Sequence, residues 1–347
     1  MKKVFAVLLV LVISLSITYA LAADRIGVSM PAQSQPRWDQ AGAYMKAILE
    51  EAGFEADLQF ADDDAATQAA QLEAMIAGGC KVLVIAPVDG GSLGAVLAKA
   101  KAQNIPVIAY DRLILDTDAV SYYVTFDSYT AGTIHGRYIE SLLDLKNAAG
   151  PFHAEILFGD PSDNNAPYIY QGIMDVLSPY FDSGKLVIPS GQRELEAVTL
   201  PASRTGDAKA RMDSLIATFY TGGAGLDAVL CVNDSVALGV SQSLAAAGFE
   251  EFPIITGQDC DIANIRNIIA GKQSMSIFRD TRDLTEKAAG MVQAIMKGEQ
   301  PEVNDTTTYN NNVLVVPAFL CASAVVDENS YRLLLIESGY YTEDQLK

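Results

Sequence analysis

The chain has 347 residues, half of them hydrophobic and 19% charged, with 26 Gly and 13 Pro. That composition excludes a disordered or low-complexity protein, and the length suits two domains rather than one. A formal net charge of −19 repels phosphates and anionic lipid, which sets aside nucleic acid and membrane surfaces and leaves neutral or modestly charged small molecules as partners.

In chain order, the first segment reads as a targeting signal. Lys2 and Lys3 precede an apolar run from Val4 to Leu15, and Ala20-Leu21-Ala22 puts small residues at the −3 and −1 positions of a signal-peptidase site. Residues 1–22 are expected to be a signal peptide cleaved near Ala22, giving a periplasmic protein. The apolar run is shorter than the roughly 20 residues a membrane anchor needs. Removing the segment takes the charge from −19 to −21, since it carries two lysines and no acid.

From Arg25 onward, strand-like and helix-like stretches alternate. Short β-branched runs at 25–30, 54–60, 81–86 and 106–110 are interleaved with Ala-rich amphipathic segments at 37–52, 65–77 and 91–103. An extended run at 120–126 leads into a helix at 129–146. The pattern then repeats, with strands at 153–158, 185–190, 226–232, 252–257 and 274–278 and helices near 164–178, 205–221, 234–247 and 260–271. Repeated βαβ units predict an α/β fold of two doubly wound, Rossmann-like parallel-sheet domains. The late helix at 281–298 and the polar stretch 303–312 read as two further passages between domains. The expected division is therefore 23–127 plus 280–312 for an N-terminal lobe and 128–279 plus 313–347 for a C-terminal lobe, joined by a three-segment hinge.

Ligands of open parallel sheets bind beyond the carboxyl ends of the strands, so the residues following each strand are the candidates. They are Arg37 and Trp38, Asp111 and Arg112, Asp163-Asn164-Asn165, Asn233-Asp234, Gln258-Asp259, and Arg279. Asp163, Asn164 and Asp234 also stand where helices start and would serve equally as caps, and Trp38 would serve as a core residue. Taken together the set suits a pyranose. Asp, Asn and Arg reach neighbouring hydroxyls, and an aromatic ring stacks on the C–H face. Hydrogen bonds to charged groups contribute roughly 1.5–3 kcal/mol each, so several reach the roughly 8 kcal/mol of micromolar binding. With only two histidines, His135 and His153, and four cysteines without CxxC spacing, zinc or His-based catalysis has little material. No nucleophile–base pair stands out and no cofactor or metal is expected. An exported sugar-processing enzyme, for which Asp111 and Asp259 would be the paired carboxylates, is the alternative from another class.

The motifs Gly27-Val28-Ser29-Met30-Pro31 with Arg37-Trp38, Val84-Ile85-Ala86, Val107-Ile108-Ala109-Tyr110-Asp111-Arg112, Asp163-Asn164-Asn165-Ala166, Asn233-Asp234, Thr256-Gly257-Gln258-Asp259 and Glu302-Val303-Asn304-Asp305-Thr306 carry a resemblance across nearly the whole mature chain. It resembles the periplasmic monosaccharide-binding proteins of ABC importers, a type I periplasmic binding protein fold, nearest the multiple-sugar-binding and xylose-binding branches. The resemblance implies a monomeric receptor that closes on an aldopentose or aldohexose and passes it to a membrane permease and ATPase, with a chemoreceptor or sensor kinase as a further partner left open. It implies that the sugar lies between Arg37, Trp38, Asp111 and Arg112 on one side and Asn165, Asn233 and Asp259 on the other. Gln33 and Arg279 stand where the family pattern has lysines. The tryptophan expected near Ser203-Arg204 is missing, so the sugar would be gripped by an aromatic on one side only unless Phe126, Tyr168 or Tyr170 fills the place. Arg204 and Arg279 would make the cleft cationic, which keeps a sugar acid or polyol open as ligand.

Overall fold

The computed structural model describes residues 23–347 apart from 161–162, 201–203 and 222–224; the expected signal peptide lies outside the described residues. The first lobe begins with β1 (Arg25–Met30), α1 (Pro36–Glu51), β2 (Glu55–Phe60), α2 (Ala65–Ala77), β3 (Val82–Ile85), α3 (Gly94–Ala102), β4 (Val107–Tyr110) and β5 (Tyr122–Phe126). The chain then builds a second lobe from α4 (Ser128–Leu142), β6 (Phe152–Leu157), α5 (Ala166–Asp182), β7 (Leu186–Val187), α6 (Leu195–Val198), α7 (Thr205–Phe219), β8 (Ala228–Cys231), α8 (Asp234–Ala246), β9 (Ile254–Ile255), α9 (Ile262–Ile269) and β10 (Ser276–Phe278). It ends with α10 (Thr281–Lys297), β11 (Ala318–Cys321), β12 (Ala324–Val326), a π-helical turn at Arg332–Glu337 and α11 (Glu343–Leu346).

The first sheet has the order β2-β1-β3-β4-β5-β11 and every pairing in it is parallel. Its central strands β3 and β4 are buried throughout, as expected of unbroken Val/Ile/Leu/Ala runs with helices on both faces. One face carries a core of Ile26, Met45, Leu49 and Val292 under α1 and α10, the other a core of Leu72, Leu97 and Val107 under α2 and α3. The second sheet has the parallel order β7-β6-β8-β9. It continues through the Gln258–Ile277 bridge to β10, which pairs antiparallel with β12. In both sheets the strand order reverses beside the first strand, which opens a crevice at the carboxyl edge.

The third passage between lobes differs from the sequence expectation. The stretch 303–312 does not cross, and 313–321 does not belong to the second lobe, because β11 pairs with β5 from Ala318 opposite Tyr123 to Cys321 opposite Phe126. The polar residues read as a hinge instead satisfy irregular first-lobe backbone. Asn304 accepts from Leu320 N (2.7 Å) and donates to Leu320 O (3.0 Å), and Asn311 Nδ2 donates to Thr117 O (2.7 Å). The chain crosses at Asp127, at Arg279-Asp280 and after Cys321. Two of these passages touch, since Asp127 N donates to Cys321 O (3.2 Å). Asp127 and Asp280 also cap the helices that leave the hinge, accepting from Thr130 N and Arg282 N (both 2.9 Å).

Helix α4 leaves the hinge and α5 carries a site loop at its start, and the two pack backbone to backbone. A Cβ placed on Gly132 would lie 2.1 Å from Ile169 O, and one on Gly172 would lie 2.2 Å from Tyr129 O. Gly132→Ala is therefore expected to lower stability in urea by about 1–3 kcal/mol. Gly290→Ala, at an exposed position of α10 with nothing within 4 Å of the new methyl, is expected to be neutral or to stabilise by about 0.5–1 kcal/mol. Equal stability of Gly132→Ala and wild type would contradict the α4–α5 contact.

Candidate functional site

The loops after β1, β4, β6, β9 and β10 converge at the carboxyl edges of the two sheets. Asp111, directly after β4, has φ +63°, a left-handed conformation that Asp and Asn tolerate better than most residues. Its backbone is held firmly: its N–H donates to Val124 O (2.8 Å). Its carbonyl accepts from Tyr123 Oη (2.8 Å), Thr125 Oγ1 (2.9 Å) and Asn165 Nδ2 (3.2 Å). The carboxylate, in a residue only 3% exposed, forms an ion pair with Arg37 Nη2 in the first turn of α1. The Arg37 guanidinium lies 4.5 Å from the Trp38 ring centroid and that of Arg112 lies 5.6 Å from it.

The second lobe supplies a matching pair. Arg279 Nη2 donates to Asp259 Oδ1 at 2.8 Å, and the Arg279 guanidinium lies 5.2 Å from the ring of Phe126. Burial would lower the Arg37 pKa, but Asp111 and then Asp259 outweigh it and raise it, so the first-lobe cation feels the second-lobe acid. Burial alone would raise the Asp259 carboxyl, yet Arg279 and then Arg37 hold it below its usual value. Asp261, although its residue as a whole is exposed to solvent, is pushed up to about 6, by burial of its carboxyl first and by Asp259 second.

Arg37, Trp38, Asp111, Arg112, Asp259 and Arg279 thus come together, but several expected roles change. Trp38 is 1% exposed within the first-lobe core, and with two guanidiniums on it no ring face is open in this conformation. Asn165 joins the lobes: besides its bond to Asp111 O, its Oδ1 accepts from Ser128 Oγ (3.1 Å) and Tyr123 Oη (3.4 Å). Asn233 is the cap of α8, accepting from Val236 N (3.0 Å), which occupies its oxygen and leaves its NH2 for other use. Gln33 is exposed and donates to Asp39 Oδ1 (3.1 Å), while Arg204 is exposed where α7 begins.

None of the three aromatics offers a free second face to the cleft. Phe126 is fully buried beneath Arg279. Tyr170 points into the second-lobe core, edge-on to Phe158 at 5.9 Å, with its hydroxyl on Arg193 O (2.8 Å). Tyr168 reaches across to the first lobe, 5.1 Å from Tyr309 and bonded to Thr308 O (3.4 Å). Of the two alternatives the sequence left open, this conformation matches grip on one side only, because aromatic residues near a strand end carry no mark of which way the helix turns them.

Two residues named in the sequence as candidates or caps take other parts. Asn164, treated as a cap, accepts from Leu113 N across the lobes (3.0 Å). Asp234, a candidate on the same footing as Asn233, belongs to the frame: its buried carboxylate accepts from Asp261 N (2.8 Å), Gln273 Nε2 (3.0 Å) and Ser276 Oγ (2.9 Å). Bonds between a side chain and distant backbone leave no periodic signal.

Residues 26–300 match the model of the periplasmic binding protein domain. The chain belongs to this family. Among curated relatives, it is 44% identical over 341 residues to the multiple sugar-binding periplasmic receptor of Rhizobium radiobacter, covering 96% of each chain. It is 32% identical to the D-xylose-binding periplasmic protein of Escherichia coli K12, covering 99% of this chain and 100% of that one. Among solved structures, an ABC transporter solute-binding protein from Clostridium phytofermentans with bound β-D-glucose superposes with TM-score 0.90 at 54% identity, covering 93% of this chain and all of that one. One from Chloroflexus aurantiacus in complex with D-glucose gives 0.82 at 32%, covering 93% and 98%. As a member of this family, the chain is a binding protein and not an enzyme.

The Asp261 carboxyl sets a pH signature. In the folded protein it keeps its proton up to about 6, whereas in the unfolded chain it loses it near 3.9. Its contribution therefore makes stability fall as pH rises from about 4 to 6. Melting temperatures of wild type and Asp261→Asn across pH 4–7 should show Asn gaining on wild type through that window. Parallel curves would show that Asp261 is not raised.

Proposed function

We propose that this protein is an exported receptor that captures one neutral monosaccharide, an aldohexose such as D-glucose or an aldopentose, between its lobes and delivers it to the permease and ATPase of an ABC importer from the periplasm. The observation that carries this reading is the pairing of charges: Arg37 with Asp111 and Arg279 with Asp259, one pair per lobe, facing the same crevice. Each carboxylate accepts hydroxyl protons and each guanidinium donates a planar fork to vicinal oxygens. Each pair is internally neutral, which favours a neutral sugar over a sugar acid, and the charge outside the pairs is that of Arg112 beside the Trp38 ring. The glucose bound in the 54%-identical neighbour supports the same choice.

Sugar entry then exchanges partners: Arg37 and Arg112 leave the Trp38 ring for hydroxyls, and the indole face they uncover stacks on the sugar. The bonds Asn164–Leu113, Asn165–Asp111 and Tyr168–Thr308 hold the lobes together over the bound ligand, as hinge closure requires.

Calorimetry with D-glucose, D-xylose, L-arabinose and D-galacturonate tests the reading. Asp111→Asn keeps a residue that tolerates φ +63°, so its effect reports charge. It is expected to weaken neutral sugars by about 1.5–3 kcal/mol. Trp38, the single tryptophan of the chain, should change its fluorescence on binding. Failure of wild type to bind any monosaccharide would overturn the function, and unchanged affinity in Asp111→Asn would remove that residue from the site.

A further inference from the structure

At the Asp259–Arg279 pair and in the elements beside it, three buried side chains hold polar atoms without a partner among the described residues: both ring nitrogens of His135, Oε1 of Gln258 and Nε of Arg279. Their residues are 0%, 3% and 7% exposed, so bulk water does not serve them, and unpaired burial is costly. They come from adjoining elements. His135 lies one turn beyond Ala131 on the face of α4 that packs against Met275, just before β10, and Ile277 of β10, and Tyr138 anchors that helix to Ser274 O (2.9 Å). Gln258 is bridged to Ile277, and Arg279 follows β10 directly. The charges of both Arg279 and Asp259 act on the imidazole.

The unmet valences complement one another. Arg279 Nε–H is a donor only, Gln258 Oε1 an acceptor only, and a neutral imidazole has one of each. We infer that His135 is a positioning residue of the sugar site, accepting from Arg279 Nε–H with one ring nitrogen and donating to Gln258 Oε1 with the other, directly or through one bridging water. The chain fixes the guanidinium whose Nη2 holds Asp259, so its state is passed to the groups that meet the sugar. It requires an uncharged ring, since protonation would turn the acceptor facing Arg279 into a second donor. Burial first, and the Arg279 charge second, push the His135 pKa down to about 3 against the pull of Asp259.

The inference deepens the sugar-binding reading and rests on it for the affinity measurements, whereas a sugar-free spectrum tests the chain independently. The protein has two histidines, so 15N-histidine NMR resolves His135 with His153 as internal reference. In the sugar-free protein His135 is expected to stay neutral in a single tautomer from pH 7 to 5, and saturating D-glucose is expected to move its ring nitrogen signals while those of His153 stay in place. His135→Phe keeps a ring without polar atoms and is expected to weaken D-glucose about tenfold, while His135→Gln, with one donor and one acceptor, stays within about threefold of wild type. Titration of His135 near 6.5, or wild-type affinity in His135→Phe, or equal losses in both variants, overturns the inference. Should neither variant fold, the wild-type spectra decide. If wild type binds no sugar, the proposed function fails while the sugar-free spectrum still judges the chain.

Discussion

Two Arg–Asp pairs, each assembled within its own lobe, govern the chemistry of the crevice. An unpaired charge removed from water costs several kcal/mol, about 3–5 kcal/mol where one partner of a buried pair is missing. Arg37 with Asp111, and Arg279 with Asp259, therefore let each half stay charged while the lobes meet. The pairs also sense each other, since Asp259 helps raise Arg37 and Arg37 helps lower Asp259. Each pair is thus internally neutral while its two members remain charged.

The backbone pays for this arrangement at two points. Asp111 and Asp259 both have positive φ, +63° and +99°, conformations that cost a non-glycine residue about 1–3 kcal/mol and persist where the surroundings over-determine them. At Asp111 the determinants are visible: three donors converge on its carbonyl, two from β5 and one from Asn165 of the opposite lobe. The first-lobe acid is thereby tied to the second lobe through its main chain.

The hinge limits how the halves can move. Three passages lie together, two of them hydrogen-bonded at Asp127 and Cys321, and the C-terminal segment packs against them. Tyr340 stands edge-on to Phe278 at 4.8 Å, and the Arg282 guanidinium lies 5.0 Å from its ring.

The alternation of β-branched runs with Ala-rich amphipathic segments determined the two parallel sheets, because burial on both faces imposes that pattern residue by residue; the run at 25–30 coincides with Arg25–Met30. The rule that ligands sit beyond strand ends then put Arg37, Asp111, Asp259 and Arg279 within a wider set of candidates from sequence alone. Which of them pair was not readable, since Arg37 and Asp111 are 74 residues apart and nothing local couples them. Nor were the burial of Trp38 beneath two guanidiniums, the inward turn of Tyr170, the spending of Asn165 on the other lobe, or the return of 303–321 to the first sheet. Those depend on how side chains and strand edges from distant segments satisfy one another once packed, and only the tertiary structure decides that.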